Sequence, residues 1–434
     1  MITLRCLILA GLLLSPPVLA GADEGSPPDQ HLADLSSDGI NRPDQQQKPY
    51  VILISLDGFR ADYLDRFDLP NFRELMNHGV RAQGLMPVFP SITRPNHYSI
   101  VTGLYPERHG IVGNVFYDPA RKEVFYDEPT LRDRTWYRGQ PIWVTAERQG
   151  MVAACYLWVG CATQSQGGTL RHLAPDGAQI SNQLRVDQIL AWLQLPPDRR
   201  PHFLTLYMDD MDEAGHRFGA DSPEIRLAAQ SVDQTLGLLL DRLKTLSIRD
   251  QIYVVIVSDH GMLSIRRDQF VWMDDLIQEK TPLQEKTPHE WIGTLGAYAS
   301  LHLDPTAHDP VQMRDRLNAS LRHGRAYIRE ELPESLHYRH DPRIGDVVIL
   351  MDMPYLILWK EYAPAILVGE HGWNPAHPDM HGIFVATGPG VKQGTTIPAF
   401  ENIHIYPLLA ELLGLTIPAD IDGRPGWLRR LVLE

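Results

Sequence analysis

The sequence predicts an α/β fold: an open, mostly parallel sheet with helices on both faces and an inserted cap region. Three observations predict it. Short β-branched apolar runs recur along the chain, helical patterns lie between them, and acidic and histidine residues gather where the runs end. Continuous apolar runs suit strands buried on both faces, and alternation with helices gives a sheet covered on both sides.

The runs are 50–56 (YVILISL), 151–157 (MVAACYL), 203–208 (FLTLYM), 253–258 (YVVIVS), 365–368 (AILV) and 383–386 (IFVA). Helical patterns occupy 71–77, 180–194, 223–246 and 403–413, the last closed by Gly414 with Pro418 just beyond. Residues 267–353 break the rhythm with charge, His and Pro, and read as an insertion between core strands. The catalytic-size α/β domain is therefore expected over 49–434, preceded by a flexible leader at 21–48 rich in Asp, Gln, Ser, Pro and Gly.

Residues 1–20 carry Arg5, an apolar stretch from Cys6 to Leu14, Pro16 and Pro17, and small residues Val18 and Ala20 at a cleavage position. This is the pattern of a secretory signal peptide rather than a stable membrane anchor, and it predicts an exported protein, periplasmic or extracellular. Cleavage removes Cys6 and leaves Cys155 and Cys161, which in an oxidising compartment either pair across a turn near Gly160 or stay as buried thiols. With 54 Asp and Glu against 40 Lys and Arg, the net charge is −14, which argues against a nucleic-acid scaffold. A hydrophobic content of 44% excludes a disordered chain.

The strand ends carry the chemistry. Asp57 follows the first run, Asp212 and His216 follow the third, Asp259 and His260 follow the fourth, and His371 follows AILV. Loops at the carboxyl ends of strands form the ligand crevice of open α/β sheets. Three Asp and three His there make a metal-site pattern that suits Zn²⁺ better than Ca²⁺ or Mg²⁺. The segment 90–103 (PSITRPNHYSIVTG) reads as a helix ending at Gly103, with Thr93 at or just before its N-terminus. A hydroxyl there is an ordinary cap, or a nucleophile if a metal lowers its pKa.

These residues resemble a known family. SLDG at 55–58, TRPNHYSIVTGLYPERHGI at 93–111, Asn114, the spaced Y…D…GH at 207–216, SDHGM at 258–262 and GEHGW at 369–373 are similar to the nucleotide pyrophosphatase/phosphodiesterase family of the alkaline phosphatase superfamily. The resemblance implies an alkaline-phosphatase-like core and two Zn²⁺ as cofactors. Asp212, His216 and His371 would hold one, and Asp57, Asp259, His260 and Thr93 the other. It implies Thr93 as the nucleophile of a phosphothreonine intermediate, Asn114 as a donor to a phosphate oxygen, and Tyr207 as an aromatic on the nucleobase. Arg94 stands where the family commonly carries Phe, so it is a substrate-binding candidate that leaves nucleotide preference open. His377 and His381 compete with His371 as ligands, but only His371 sits in the H-G-aromatic motif.

Two dications against three carboxylates leave roughly one net positive charge, which suits a singly charged diester. The expected partner is thus a small phosphodiester or nucleotide. Lipid-headgroup diesters of the phosphocholine type, phosphonates and monoesters are alternatives with the same mechanism. A non-catalytic zinc- or ligand-binding protein is the alternative of another class.

Overall fold

The computed structural model describes residues 39–434 apart from 127, 162–169, 173–179, 278–290, 293–294 and 361–367. The expected signal peptide, and the leader as far as residue 38, lie outside the described residues. The rest of that leader is packed against the domain: Asn41 is buried and donates to the carbonyls of Pro197 and Arg200.

Among the described residues the central sheet has eight strands. In chain order they are β1 (Tyr50–Leu56), β2 (Val80–Ala82), β3 (Ala153–Tyr156), β4 (Leu170–His172), β5 (Phe203–Met208), β6 (Ile252–Val257), β7 (Phe384–Thr387) and β8 (Thr395–Ile397). Across the sheet they run β8-β2-β7-β6-β1-β5-β3-β4. All neighbours are parallel except that β7 is antiparallel to both β6 and β2. The expected strand at 383–386 thus lies in the main sheet but runs against it.

The two-sided burial read from sequence is literal. In β1, Val51 and Leu53 enter one apolar cluster, and Tyr50, Ile52, Ile54 and Leu56 enter another on the opposite face. β6 divides the same way, with Val255 and Val257 on one side and Val254 and Ile256 on the other. This is the period-2 alternation of a pleated strand, and each such aliphatic contributes roughly 1.5–3 kcal/mol by leaving water. The first face is covered by α2 (Thr93–Thr102) and α7 (Ile405–Leu413), the second by α1 (Pro70–Asn77), α4 (Asn182–Leu193) and α6 (Pro223–Leu243). Between them in chain order come α3 (Ile142–Arg148) on the first face and α5 (Asp210–Phe218), which follows β5. Ser222 caps α6 by accepting from the Ile225 N–H, and Pro223 takes the first helical position, where its missing N–H costs nothing.

The strand expected at 365–368 falls largely outside the described residues. The strand that leads into His371 is Gly369–Glu370, paired antiparallel with Leu263–Ser264 in a separate ladder. An apolar run alone does not say which partner a strand meets.

The insertion builds its own four-stranded antiparallel sheet, in the order Trp291–Ile292, Tyr298–His302, Val347–Met351 and Gly324–Ile328. The helix Pro310–Ser320 packs on it, and a separate apolar cluster includes Met273, Leu301, Leu317, Ile349 and Trp359. It runs on past Met353, because Leu356–Leu358 pairs with Phe270–Trp272. Cys155 and Cys161 form a disulfide with Cα atoms 6.0 Å apart, closed over a turn in which Leu157 and Gly160 take positive φ.

Candidate active site

Five of the seven predicted ligands sit at the C-terminal edge of the sheet or on the helix that follows it, while His371 follows the Gly369–Glu370 ladder and Thr93 opens α2. β1 delivers Asp57, β6 delivers Asp259 and His260, and α5 presents Asp212 and His216 one turn apart. Gly58, with φ of 67°, lies so close under α5 that a Cβ would stand 2.9 Å from the Asp212 Cα. Only glycine allows that approach, which brings the Asp57 and Asp212 carboxylates together. Gly369 plays the same part for the imidazoles, since a Cβ there would meet the Gly215 carbonyl oxygen at 2.1 Å.

Two trios result, Asp212–His216–His371 and Asp57–Asp259–His260, each with ligand atoms within 4.8 Å of one another. His377 and His381 belong to neither; the Nε2 of His381 meets the Pro375 carbonyl at 3.1 Å.

The hydrogen bonding tests whether the trios fit a cation. Each histidine places Nδ1 2.9 Å from a backbone carbonyl: His216 on Gly369, His371 on Ser91 and His260 on Gly261. A carbonyl only accepts, so Nδ1 carries the proton and Nε2 is left with a lone pair. Yet the Nε2 atoms of His216 and His371 face each other at 3.2 Å, and that of His260 faces carboxylate oxygens of Asp259 at 3.1 Å and Asp57 at 3.3 Å. Asp57 Oδ1, Asp212 Oδ1 and Asp259 Oδ2 are buried with no hydrogen-bond donor. Lone pairs converging on lone pairs in a buried space require a positive charge between them.

The electrostatics show what protons standing in for that charge would cost. Burial, then the charges of Asp259 and Asp212, raise the Asp57 carboxyl well above the usual range. Burial opposes charge on His216, but Asp212 pushes it up to about 10. Burial opposes the charged form of Asp259 as well, but His260 and His97 bring it down to about 2. Burial and then His260 push His371 down to about 3. Protons are forced unevenly onto groups a few ångströms apart, the strain that bound dications remove. The residues fit two divalent cations.

Thr93 is the first residue of α2, with Oγ1 3.4 Å from His260 Nε2. Asn114 accepts from the Arg94 N–H through Oδ1 at 2.8 Å, which makes Nδ2 the donor end of its amide. Tyr207 donates to Asp57 Oδ2 at 2.6 Å, a hold on a ligand that reading it as a nucleobase platform had missed. His97 was missed altogether. Its Nδ1 lies 2.9 Å from the Thr93 carbonyl and 3.3 Å from Asp259 Oδ2, and Ser55 Oγ lies 2.8 Å from its Nε2. Its place four residues after Thr93, on the same face of α2, is the signal that would have found it.

A family model described as type I phosphodiesterase / nucleotide pyrophosphatase matches residues 51–374. The chain belongs to this family. One relative, the venom phosphodiesterase of Macrovipera lebetinus, is 34% identical over 400 residues. That covers 92% of this chain but 47% of the relative, so the chain spans about half the length of such curated relatives. A Schizosaccharomyces pombe protein described as an uncharacterized pyrophosphatase/phosphodiesterase is 35% identical over 84% of this chain and 77% of its own. Murine ectonucleotide pyrophosphatase / phosphodiesterase 5, solved as an inactive threonine-to-alanine variant in complex with AMP, superposes with a TM-score of 0.79. It is 27% identical and covers 89% of this chain and all of its own. Asp57, Asp212, Asp259 and His371 of this family member all fall inside the matched segment.

Proposed function

We propose that the chain is an exported zinc-dependent phosphodiesterase/nucleotide pyrophosphatase. It would cleave phosphodiester or pyrophosphate bonds through a phosphothreonine at Thr93. The observation that carries this is the placement of Thr93 Oγ1 at a helix start, against the imidazole of His260, whose ring stacks on His371 of the other trio.

Asp212, His216 and His371 would hold one Zn²⁺, and Asp57, Asp259 and His260, with Thr93, the other. Two such ions would supply positive charge at the phosphoryl oxygens and would lower the pKa of a nearby hydroxyl or water. Thr93 Oγ1 attacks phosphorus, the bond to the leaving oxygen breaks, and water then cleaves the Thr93–phosphate ester. The helix N-terminus and Asn114 Nδ2 stabilise the negative charge that grows on the phosphoryl oxygens. His97 and Tyr207 hold Asp259 and Asp57 in place. The AMP complex of the murine relative supports a nucleotide as substrate.

A second reading keeps the mechanism and replaces the nucleotide with a lipid-headgroup diester; it is favoured by Arg94, which follows Thr93 and offers no aromatic ring for a base. The test compares p-nitrophenyl esters of thymidine monophosphate, phosphocholine and phosphate. The nucleotide ester should be cleaved fastest. Equal or slower cleavage of that ester removes the nucleotide assignment, and no cleavage of any ester removes the enzymatic reading.

A further inference from the structure

We infer that Arg94 is a positioning residue for Asn114, acting through that residue and not by touching the substrate. The inference deepens the diesterase reading and rests on it for its kinetic arm.

The first N–H groups of a helix have no partner within the helix. The Arg94 N–H is one of these, and Asn114 Oδ1 caps it at 2.8 Å across 20 residues of sequence. The same Arg94 reaches over with its guanidinium, whose Nη1 donates to the main-chain carbonyl of Asn114. One residue therefore grips the other at two points, the side-chain amide and the backbone. The guanidinium carbon stands 5.8 Å from the centre of the Phe125 ring. Phe125 is itself fully buried in the hairpin of Phe116–Asp118 and Glu123–Phe125. The planar cation is thus seated on a rigid face while it bonds Asn114.

The consequence is geometric. An amide held at its oxygen and at its own backbone has one orientation for Nδ2. A donor to a phosphoryl oxygen is useful only when so fixed, and misplacement by about 1 Å costs on the order of 10²-fold in rate. Lysine would keep a donor to the carbonyl but lose the planar seat on Phe125. Methionine would lose both and still fill the space.

The test uses full-length R94M, R94K, N114A and the double variant R94M/N114A. The substrates are p-nitrophenyl thymidine monophosphate and bis-p-nitrophenyl phosphate, which has no base. R94M should lower kcat roughly tenfold or more on both esters and leave KM nearly unchanged. R94K should recover part of the loss, and the double variant should be no slower than N114A. A loss confined to the nucleotide ester, a loss in KM, or additive losses in the double variant would overturn the inference. A second measurement needs no turnover. In ¹⁵N-asparagine-labelled protein, the Asn114 side-chain resonance, identified by its absence in N114A, should shift in R94M and be largely retained in R94K. An unchanged resonance in R94M overturns the clamp; an inactive parent enzyme overturns only the diesterase reading.

Discussion

The imidazole of His371 lies flat on that of His260, with ring centroids 3.6 Å apart and planes 13° from parallel. The two rings belong to different trios, so the trios share a wall. His371→Ala should therefore cost more than one ligand. Metal analysis should fall from about two ions per chain to about one, with the remaining ion held more weakly than in the parent protein. Two ions bound with parental affinity after the substitution would show that His371 is not a ligand.

Thr93→Ala removes the proposed nucleophile and one ligand oxygen, but leaves both trios intact. Turnover should disappear while the metal content stays near two. Activity surviving in this variant would rule Thr93 out as the attacking group.

Chelation should destabilise the fold as well as stop catalysis. Three buried carboxylate oxygens are left without a donor when no cation is bound. An ion present at about 100 times its Kd stabilises the native state by about 2.7 kcal/mol. A thermal unfolding midpoint that falls on chelation and returns with Zn²⁺ is the expected outcome.

Tyr207→Phe separates two roles. It keeps the ring and deletes the 2.6 Å bond to Asp57. If the hydroxyl positions the ligand, metal affinity should drop roughly 10-fold to 100-fold. Unchanged metal affinity, with a raised KM for nucleotides only in Tyr207→Ala, would return the residue to a purely stacking role.

Acid should weaken the fold partly through His109. Burial, helped by Arg138, pushes its pKa down to about 3. The neutral ring accepts from the Ile111 N–H at Nδ1, and its Nε2 pairs with Ser99 Oγ. The unfolded chain takes up a proton near pH 6.5, whereas the folded chain resists until about 3. The contribution is thus fully present above pH 6.5 and is lost as pH falls toward 3, by roughly 1.4 kcal/mol per unit inside that window. Denaturant unfolding between pH 7 and 4.5 should show a shallower slope for His109→Gln than for the parent; equal slopes would contradict this.

That Asp57, Asp212, His216, Asp259 and His260 gather at one place was legible because strand ends in an α/β sheet converge whatever the details of packing. The paired face of Asp212 and His216 was equally direct, since one helical turn places them together. The short strand Gly369–Glu370 before His371 was not read from the sequence, because two residues carry no periodicity and do not specify which neighbour they pair with. Its partner, Leu263–Ser264, lies more than a hundred residues upstream. His97 and the hydroxyl of Tyr207 escaped for a related reason. Their partners are distant in sequence: Tyr207 meets Asp57 through the β1–β5 register, and His97 meets Asp259 only where α2 packs on the sheet. The pairing of Cys155 with Cys161 needed a reversal of the chain that Leu157 and Gly160 provide through backbone angles, which composition does not reveal.

The short ladder of Leu263–Ser264 with Gly369–Glu370 has a consequence for how the ligands keep their spacing. It ties off the stem through which the chain leaves and re-enters the core, just after His260 and just before His371. The loop of chain beyond it has its own apolar interior. The ladder therefore fastens the backbone just after His260 to the backbone just before His371, so the long excursion of chain between them does not set their spacing.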